Sequence, residues 1–308
     1  MPVSGTNDWA GELAPHVSSA TVIRRDEPMA KHTTLRVGGP ADVWVEPASE
    51  ADLAAVLKFC GGRKIDFFIL GRGSNLLVRD GGFRGVVICL AAADFCRIEV
   101  AGERLRGGAG AKVKAVVGAA KLAGLGGLEF LEGIPGSVGG ALRMNAGALG
   151  GAVFDIVESV RGMDRAGNIF ETPRAGVPAE YRSCPLFLET IALAAVFKGV
   201  PAPQVAIEAK LNEFSRRRRA SQPTRPSAGC TFKNPAAIPA GRLIEELGLK
   251  GARVGGAMVA PEHGNFLVNA GGATAADVLA LMARIQARAR AERGIELQPE
   301  VEIVGENR

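Results

Sequence analysis

The sequence predicts a mixed α/β (α+β) chain folded around more than one hydrophobic core. Three observations predict it. Strand-like and helix-like patterns alternate from Val43 to Leu90, two glycine-rich turns, Gly71–Asn75 and Gly133–Gly147, each follow an apolar approach, and the stretch Val200-Pro201-Ala202-Pro203 interrupts both helix and strand before a last part with its own helices. At 308 residues, with 47% hydrophobic and 22% charged content, the chain is long enough for two or three cores and too apolar to be disordered. The divisions that follow are a loose N-terminal arm at 1–20, a subdomain at 21–95, a second at 96–200 and a final domain at 201–308.

Residues 1–20 are small and polar, without periodicity. Val43 and Val45 alternate with Asp42, Trp44 and Glu46, which suits a strand stopped by Pro47. Ser49 is placed to cap a helix whose Leu53, Val56, Leu57 and Cys60 share one face and which ends at Gly61-Gly62. Ile65–Leu70 is a short strand, Gly71–Asn75 a turn, Leu76–Val78 apolar again and Gly85–Leu90 a further strand. A strand follows these glycines where a dinucleotide-binding Rossmann unit would place a helix, so that architecture is excluded. Arg97–Val100 and Arg104–Arg106 read as a hairpin turning at Ala101-Gly102, and Val113, Val116, Val117 and Leu122 as one helical face broken by Gly124. Leu128–Leu131 is a strand-like approach to the second glycine run. A hairpin through Asp164–Gly167 joins Val153–Gly162 to Asn168–Glu171, and Ile191–Phe197 is a strand. Beyond the prolines come a helix from Val205 to about Arg218, a helix from Thr274 and Asp277 to Arg293 stopped at Gly294, and a strand Val301–Val304.

Composition removes several functions. The net charge is +5 and the sharpest basic cluster, Arg216–Arg219, is accompanied by no aromatic except Phe214, so the interleaved stripe of a nucleic-acid binder is missing. The cluster reads as a solvated helix face, with an electrostatic funnel for a small anion as the functional alternative. Five scattered cysteines, Cys60, Cys89, Cys96, Cys184 and Cys230, give neither a disulfide framework nor a metal site. No secretory pattern and no apolar run of about 18 residues is present, so no membrane association and a cytoplasmic location are expected.

Chemistry concentrates in the glycine runs. Glycine reaches positive φ cheaply and lets a ligand approach the main chain, so successive N–H groups can converge on a diphosphate. In the first turn Gly71, Arg72 and Gly73 open the backbone, and Ser74 and Asn75 offer side-chain hydrogen bonds. The second comprises Gly133, Ile134, Pro135, Gly136, Ser137, Gly139 and Gly140, then Asn145, Ala146 and Gly147, with Asn145 supplying an amide to a ribityl, ring or ribose group. Two turns could enclose one diphosphate; two unrelated tight turns are the structural alternative.

The motifs H-T-T-L-R-V-G-G-P-A-D, G-R-G-S-N-L-L-V, G-I-P-G-S-V-G-G-A-L-R-M-N-A-G-A, Y-R-S-C, P-S-A-G-C-T-F-K-N-P, G-G-A-M-V-A-P-E-H-G-N-F-L-V-N and P-E-V occur in this order. Together they resemble the UDP-N-acetylenolpyruvoylglucosamine reductase family of peptidoglycan precursor synthesis, over about residues 20–306. The resemblance implies an FAD-binding region of the vanillyl-alcohol oxidase type in two subdomains and a C-terminal α+β substrate-binding domain. It also implies noncovalent FAD, NADPH as co-substrate, UDP-N-acetyl-3-O-(1-carboxyvinyl)glucosamine as substrate, and a monomer. Hydride is then expected to pass from FAD to the methylene carbon of the enolpyruvyl ether, with charge building on the α-carbon and carboxylate.

Three roles follow from the resemblance. Arg182, beside Tyr181, is expected to hold the substrate carboxylate, for which a planar cation is suited. Glu300 is expected beside that carboxylate, and Glu302, two residues on, would share its strand face. Cys230 is the departure: most relatives carry serine there as the proton donor to the α-carbon. A thiol is a far stronger acid than a serine hydroxyl, so donation remains feasible. Thr231 is the rival donor, displaced by one residue and so facing the other way on a strand. Lys233, Asn234 and Arg218 are candidates for the UDP portion, with Tyr181. One subclass of the family covers the substrate with a tyrosine-bearing loop; Tyr181 is the only tyrosine in this chain, which places it with the shorter subclass. Two other readings compete with this one. A flavin oxidase with histidine-attached FAD is disfavoured because His16, His32 and His263 lie in neither glycine turn, and an inactive sensor has only Cys230 in its support.

Overall fold

The structure, a computed structural model, describes residues 8–307. These fall into two compact units. The first takes the chain up to Glu27, Ala41–Gly71 and Gly85–Leu211; the second takes Pro28–Pro40, Arg72–Arg84 and the chain from Asn212 onward. Both units therefore draw on separated stretches of sequence.

The first unit holds two sheets. One runs in the order Val22–Pro28, Pro40–Glu46, Phe83–Cys89, Phe67–Leu70, and its last two strands are parallel. Parallel pairing needs a long crossover, and the crossover here is the stretch between Leu70 and Phe83. The helix Glu50–Arg63 is capped by Ser49, whose side chain accepts from the Asp52 N–H, and it buries Leu53, Val56, Leu57 and Cys60. It does not stop at Gly61-Gly62 but runs through them to Lys64, which is left-handed at φ 55° and returns its N–H to Cys60 and Gly61 carbonyls. Glycine lowers helix propensity without forbidding helix, and here the terminal cap wins.

The arm expected at 1–20 also differs where it is described; Met1–Asn7 lie outside the described residues. Asp8 caps a short helix, Trp9–Leu13, which buries Ala10 and Leu13. Further on, Ser18 donates its N–H and hydroxyl to the Asp52 carboxylate at 2.7 and 2.8 Å. Hydrogen bonds to a distant carboxylate, which no local periodicity reveals, tie this segment down.

The second sheet is antiparallel, in the order Ile169–Pro173, Val157–Met163, Ile191–Lys198, Arg104–Gly108, Ile98–Ala101. Its central strand is apolar on both faces, as a strand covered on both sides must be. The helix Val113–Leu122 buries Val113, Val116, Val117 and Ala120, whereas Leu122 is 79% exposed. Six residues past Val116 a helix has turned away from its buried face, so Leu122 does not belong to the face read from spacing. Leu128–Leu131 is no strand: a 3-10 turn, Glu129–Gly133, precedes the second glycine run. Val200–Pro201 pairs antiparallel with Leu125–Gly126, a two-residue edge ladder that tolerates proline.

In the second unit an antiparallel sheet runs Ser227–Cys230, Phe266–Asn269, Ala257–Val259, Arg253–Val254. Its core joins Phe232, Leu243, Ile244, Val278, Leu281 and Ile285 to Leu35, Val37 and Leu77 from the earlier stretches. The helix Ala275–Arg293 begins with a capping box between Thr274 and Asp277 and ends at Gly294, left-handed at φ 64°. Asp80 adds to that start, accepting the N–H groups of Ala275 and Ala276 at 2.9 Å each. The strand Glu302–Val304 pairs parallel with Leu76–Val78. Among the described residues no helix is long and apolar enough to cross a membrane.

Candidate active site

In the first unit Gly71, the residue that opens the first glycine turn, meets the second glycine run. A Cβ added to Gly71 would stand 2.6 Å from the Ser137 Oγ, so Gly71 approaches the second run at a distance that leaves no room for a side chain. The second run is more than a loop. From Val138 to Arg143 it is a short helix, with Ser137 as its N-cap accepting from the Gly140 N–H. Val138 and Gly139 donate their N–H groups to the carbonyls of Ala111 and Ala109 at 2.9 and 2.8 Å. The run is thus anchored to the preceding segment at those two residues, and Gly139 packs at a spacing that a Cβ would fill, 3.1 Å from the Ala109 Cβ. Gly136, at φ 118°, makes the turn into the helix. Ile134 is buried, and Gly133 would meet the Ala148 Cβ at 3.0 Å if it carried a side chain.

Past the helix, Ala146 donates its N–H to the Ala141 carbonyl and accepts from the Val153 N–H. Asn145 is left-handed at φ 37°. Its amide donates to the Glu180 carbonyl at 3.0 Å and accepts from the Phe154 N–H at 3.3 Å. Glu180 and Ser183 close a tight turn by exchanging main-chain hydrogen bonds of 2.8 and 3.3 Å, and Tyr181 and Arg182 form its tip. Arg182 is itself left-handed at φ 57°, a conformation that costs a non-glycine residue about 1 kcal/mol or more. Its guanidinium lies 5.1 Å from the centroid of the Tyr181 ring, and Tyr181 is 58% exposed.

The second unit brings Asn75, Cys230 and Glu300 into one neighbourhood. The Asn75 amide donates to the Glu300 carbonyl at 3.1 Å, and the Asn75 carbonyl accepts from the Glu302 N–H at 3.0 Å. The Glu300 N–H in turn donates to the Thr231 carbonyl at 2.8 Å, next to Cys230. Cys230 ends the strand Ser227–Cys230 opposite Phe266, after an irregularity in register at which Gly229 takes φ 77°. Cys230 is half-buried, whereas Thr231 is 6% exposed, so the two side chains part as a strand end requires. Gly73, at φ 59°, packs so closely on His32 and Thr33 that no side chain would fit, since a Cβ would meet the His32 carbonyl oxygen at 2.2 Å. Glu300 lies before the strand that begins at Glu302, with a bend between them at Val301, so the shared strand face expected for the two carboxylates does not form.

The remaining candidates are scattered. Lys233 donates its N–H to the Gln298 carbonyl. The Asn234 Oδ1 accepts from the Ala240 N–H at 3.0 Å, which steadies the entry to the helix Ala240–Glu246, an element that sequence periodicity did not reveal. Arg216, Arg217 and Arg219 are exposed on the helix Gln204–Ser221, and the half-buried Arg218 donates from Nε to Gln222 at 2.9 Å. Arg72 is exposed and Ser74 half-buried. One residue lies in a quoted motif but was given no role there. The Asn265 side chain, 2% exposed, accepts from the Phe232 N–H at 2.9 Å and donates to the Phe232 carbonyl at 2.7 Å, locking the chain just past Cys230. The sequence signal was present: a polar amide at the head of the apolar run Phe266–Val268 has to find partners when buried.

Small-residue turns with room at the backbone suit a large cofactor, and residues 41–173 match the family model described as an FAD binding domain. Residues 222–304 match the model for the C-terminal domain of UDP-N-acetylenolpyruvoylglucosamine reductase. These two parts define a flavoenzyme with an FAD-binding domain and a reductase C-terminal domain. Whole-chain relatives are more specific. A UDP-N-acetylenolpyruvoylglucosamine reductase of Geobacter metallireducens is 50% identical over 285 residues, covering 92% of this chain and 94% of its own. One of Geotalea uraniireducens is 46% identical over the same shares. The crystal structure of the Thermus caldophilus enzyme of this name is 38% identical, with a TM-score of 0.82 over 92% of this chain and all of its own. The chain belongs to the UDP-N-acetylenolpyruvoylglucosamine reductase family. The expected α+β fold, with an FAD-binding domain and a C-terminal reductase domain, is borne out.

Proposed function

We propose that the chain reduces the enolpyruvyl ether of UDP-N-acetylglucosamine to UDP-N-acetylmuramate, with NADPH as reductant and noncovalent FAD as carrier, as a monomer in the cytoplasm. The domain division at 95 and 200 and the short-loop subclass belong to this reading, the latter supported by the single tyrosine, Tyr181. Gly71–Asn75, Gly133–Gly140 and Asn145–Gly147 are the stretches that would hold the cofactor; bound there, FAD supplies a two-electron carrier between NADPH and substrate.

The chain's own residues supply the acid–base and electrostatic work. As the methylene carbon gains hydride, the electron pair of the carbon–carbon double bond moves to the α-carbon and into the carboxylate. The Arg182 guanidinium holds that carboxylate while its charge grows. Glu300 shares a proton with it. The Cys230 thiol delivers its proton to the α-carbon, forming the new C–H bond and leaving a thiolate that solvent reprotonates. Lys233, Asn234, Arg218 and Tyr181 are assigned to the UDP-sugar. The observation that carries the reading is the tie between Cys230 and Glu300, two residues distant in sequence but joined through Thr231 at 2.8 Å.

Purified yellow protein mixed anaerobically with NADPH and the enolpyruvyl substrate should consume the two in equal amounts and form UDP-N-acetylmuramate. Hydrogen peroxide formation in air, with no consumption of the enolpyruvyl compound, would favour an oxidase and defeat the proposal.

A further inference from the structure

We propose that Asn145, expected from its motif to contact the flavin, is a positioning residue for Arg182; this rests on the role proposed above for Arg182. Both ends of its amide are committed within the protein. The amide nitrogen donates to the Glu180 carbonyl and the amide oxygen accepts from the Phe154 N–H. The assignment is forced, because a carbonyl can only accept and an N–H can only donate. Glu180 opens the turn that carries Arg182, and that turn needs an anchor. Arg182 adopts φ 57° and Asn145 φ 37°, and a left-handed arginine persists only where its surroundings over-determine it.

The anchor is itself held. Arg174 donates from Nε to the Phe154 carbonyl at 2.9 Å and from Nη1 to the Val177 carbonyl at 2.7 Å, with its guanidinium 5.2 Å from the Phe154 ring centroid. A second tie closes the turn's far side, where the Cys184 N–H donates to the Arg143 carbonyl at 2.9 Å. The run Arg143–Asn145 therefore grips the turn on both flanks. Gly147, two residues on, leaves room for the guanidinium: a Cβ there would lie 3.2 Å from the Arg182 Nη1. The segment that reads as a cofactor loop thus also sets the backbone and the clearance of the cation.

Tyr181 makes this testable without turnover, because it is the only tyrosine in the chain and lies under Arg182. Protein labelled with 3-fluorotyrosine gives one fluorine resonance, which reports on the turn. Asn145→Gly keeps the left-handed backbone but removes both hydrogen bonds; Asn145→Asp keeps the acceptor toward Phe154 and loses the donor toward Glu180. Both should shift or broaden that resonance. Both should also slow substrate reduction on the order of 10- to 100-fold, as misplacement of a catalytic group does. Combined with Arg182→Lys, neither should add to the loss caused by Arg182→Lys alone. An unchanged resonance, or losses that multiply in the double variants, would overturn the proposal and leave the Arg182 role standing. Normal substrate reduction by Arg182→Lys and by Arg182→Ala would overturn both. Should Asn145→Gly fail to fold, Asn145→Asp carries the same comparison.

Discussion

Cys230 differs from the chain's buried thiols in ways that chemistry can read out. Burial pushes the Cys60 thiol up to about 12 and raises Cys184 as well, although main-chain N–H groups of Phe187 and Leu186 oppose the shift at Cys184. Thiolate, not thiol, is the nucleophile, so both should be inert to alkylation near neutral pH. Cys230, Cys89 and Cys96 are only half-buried. Brief iodoacetamide treatment at about pH 8 followed by peptide mass spectrometry should therefore label these three first. Substrate should protect Cys230 and leave Cys89 and Cys96 unprotected. Early labelling of Cys60, or full activity with Cys230 modified, would contradict the assignment. Asn75 and Asn145 carry a related lesson: their side chains hold the backbone near Glu300 and Arg182 respectively. A motif reports which residues lie in a loop but not where their hydrogen bonds go.

Elements with strong local signals were legible. The helix Ala275–Arg293 has a Thr-x-x-Asp start and a glycine stop, and both function as read. The strand, turn and strand through Phe67–Leu70, Gly71–Asn75 and Leu76–Val78 also stand as the pattern implied. What stayed hidden depends on distant partners. The helix Val138–Arg143 contains two glycines and forms because Ser137 caps it and Ala109 and Ala111 receive its first N–H groups. Asn265 is another such case, and its neighbour His263 makes it testable. The His263 Nδ1 accepts the Asn265 N–H at 3.1 Å. Burial, and then Lys250, hold the His263 pKa below its ordinary value, with Glu245 opposing. A histidine depressed in the folded state stabilises fully above the unfolded value of about 6.5, and that contribution is lost as pH falls through the folded value. Urea midpoints should therefore decline from about pH 7 toward pH 5, and less steeply in His263→Gln. Equal slopes for the two proteins would assign the decline to other groups.

On the scale of the whole molecule, each compact unit is assembled from three stretches of chain, and Gly71 is the last residue of the first unit before the chain crosses to the second. Composition shifts mark contiguous boundaries, so an interleaved assembly is invisible to them; the pairing of Glu302–Val304 with Leu76–Val78 could come only from the structure. A cofactor that binds only the folded chain stabilises it by mass action, about 2.7 kcal/mol at a hundredfold excess over its Kd. Stripping the flavin should lower the Tm by several degrees and adding FAD should restore it, and an identical Tm for the two forms would count against a folded-state flavin site. Cys230 is the proposed proton donor of this FAD reductase. That role is tested by single-turnover reoxidation of the NADPH-reduced protein by the enolpyruvyl substrate, followed anaerobically by flavin absorbance. Cys230→Ala should slow this step at least 100-fold, the scale of general acid catalysis, while Cys230→Ser retains measurable reoxidation. Reoxidation of the alanine variant at the parent rate would remove Cys230 from the mechanism.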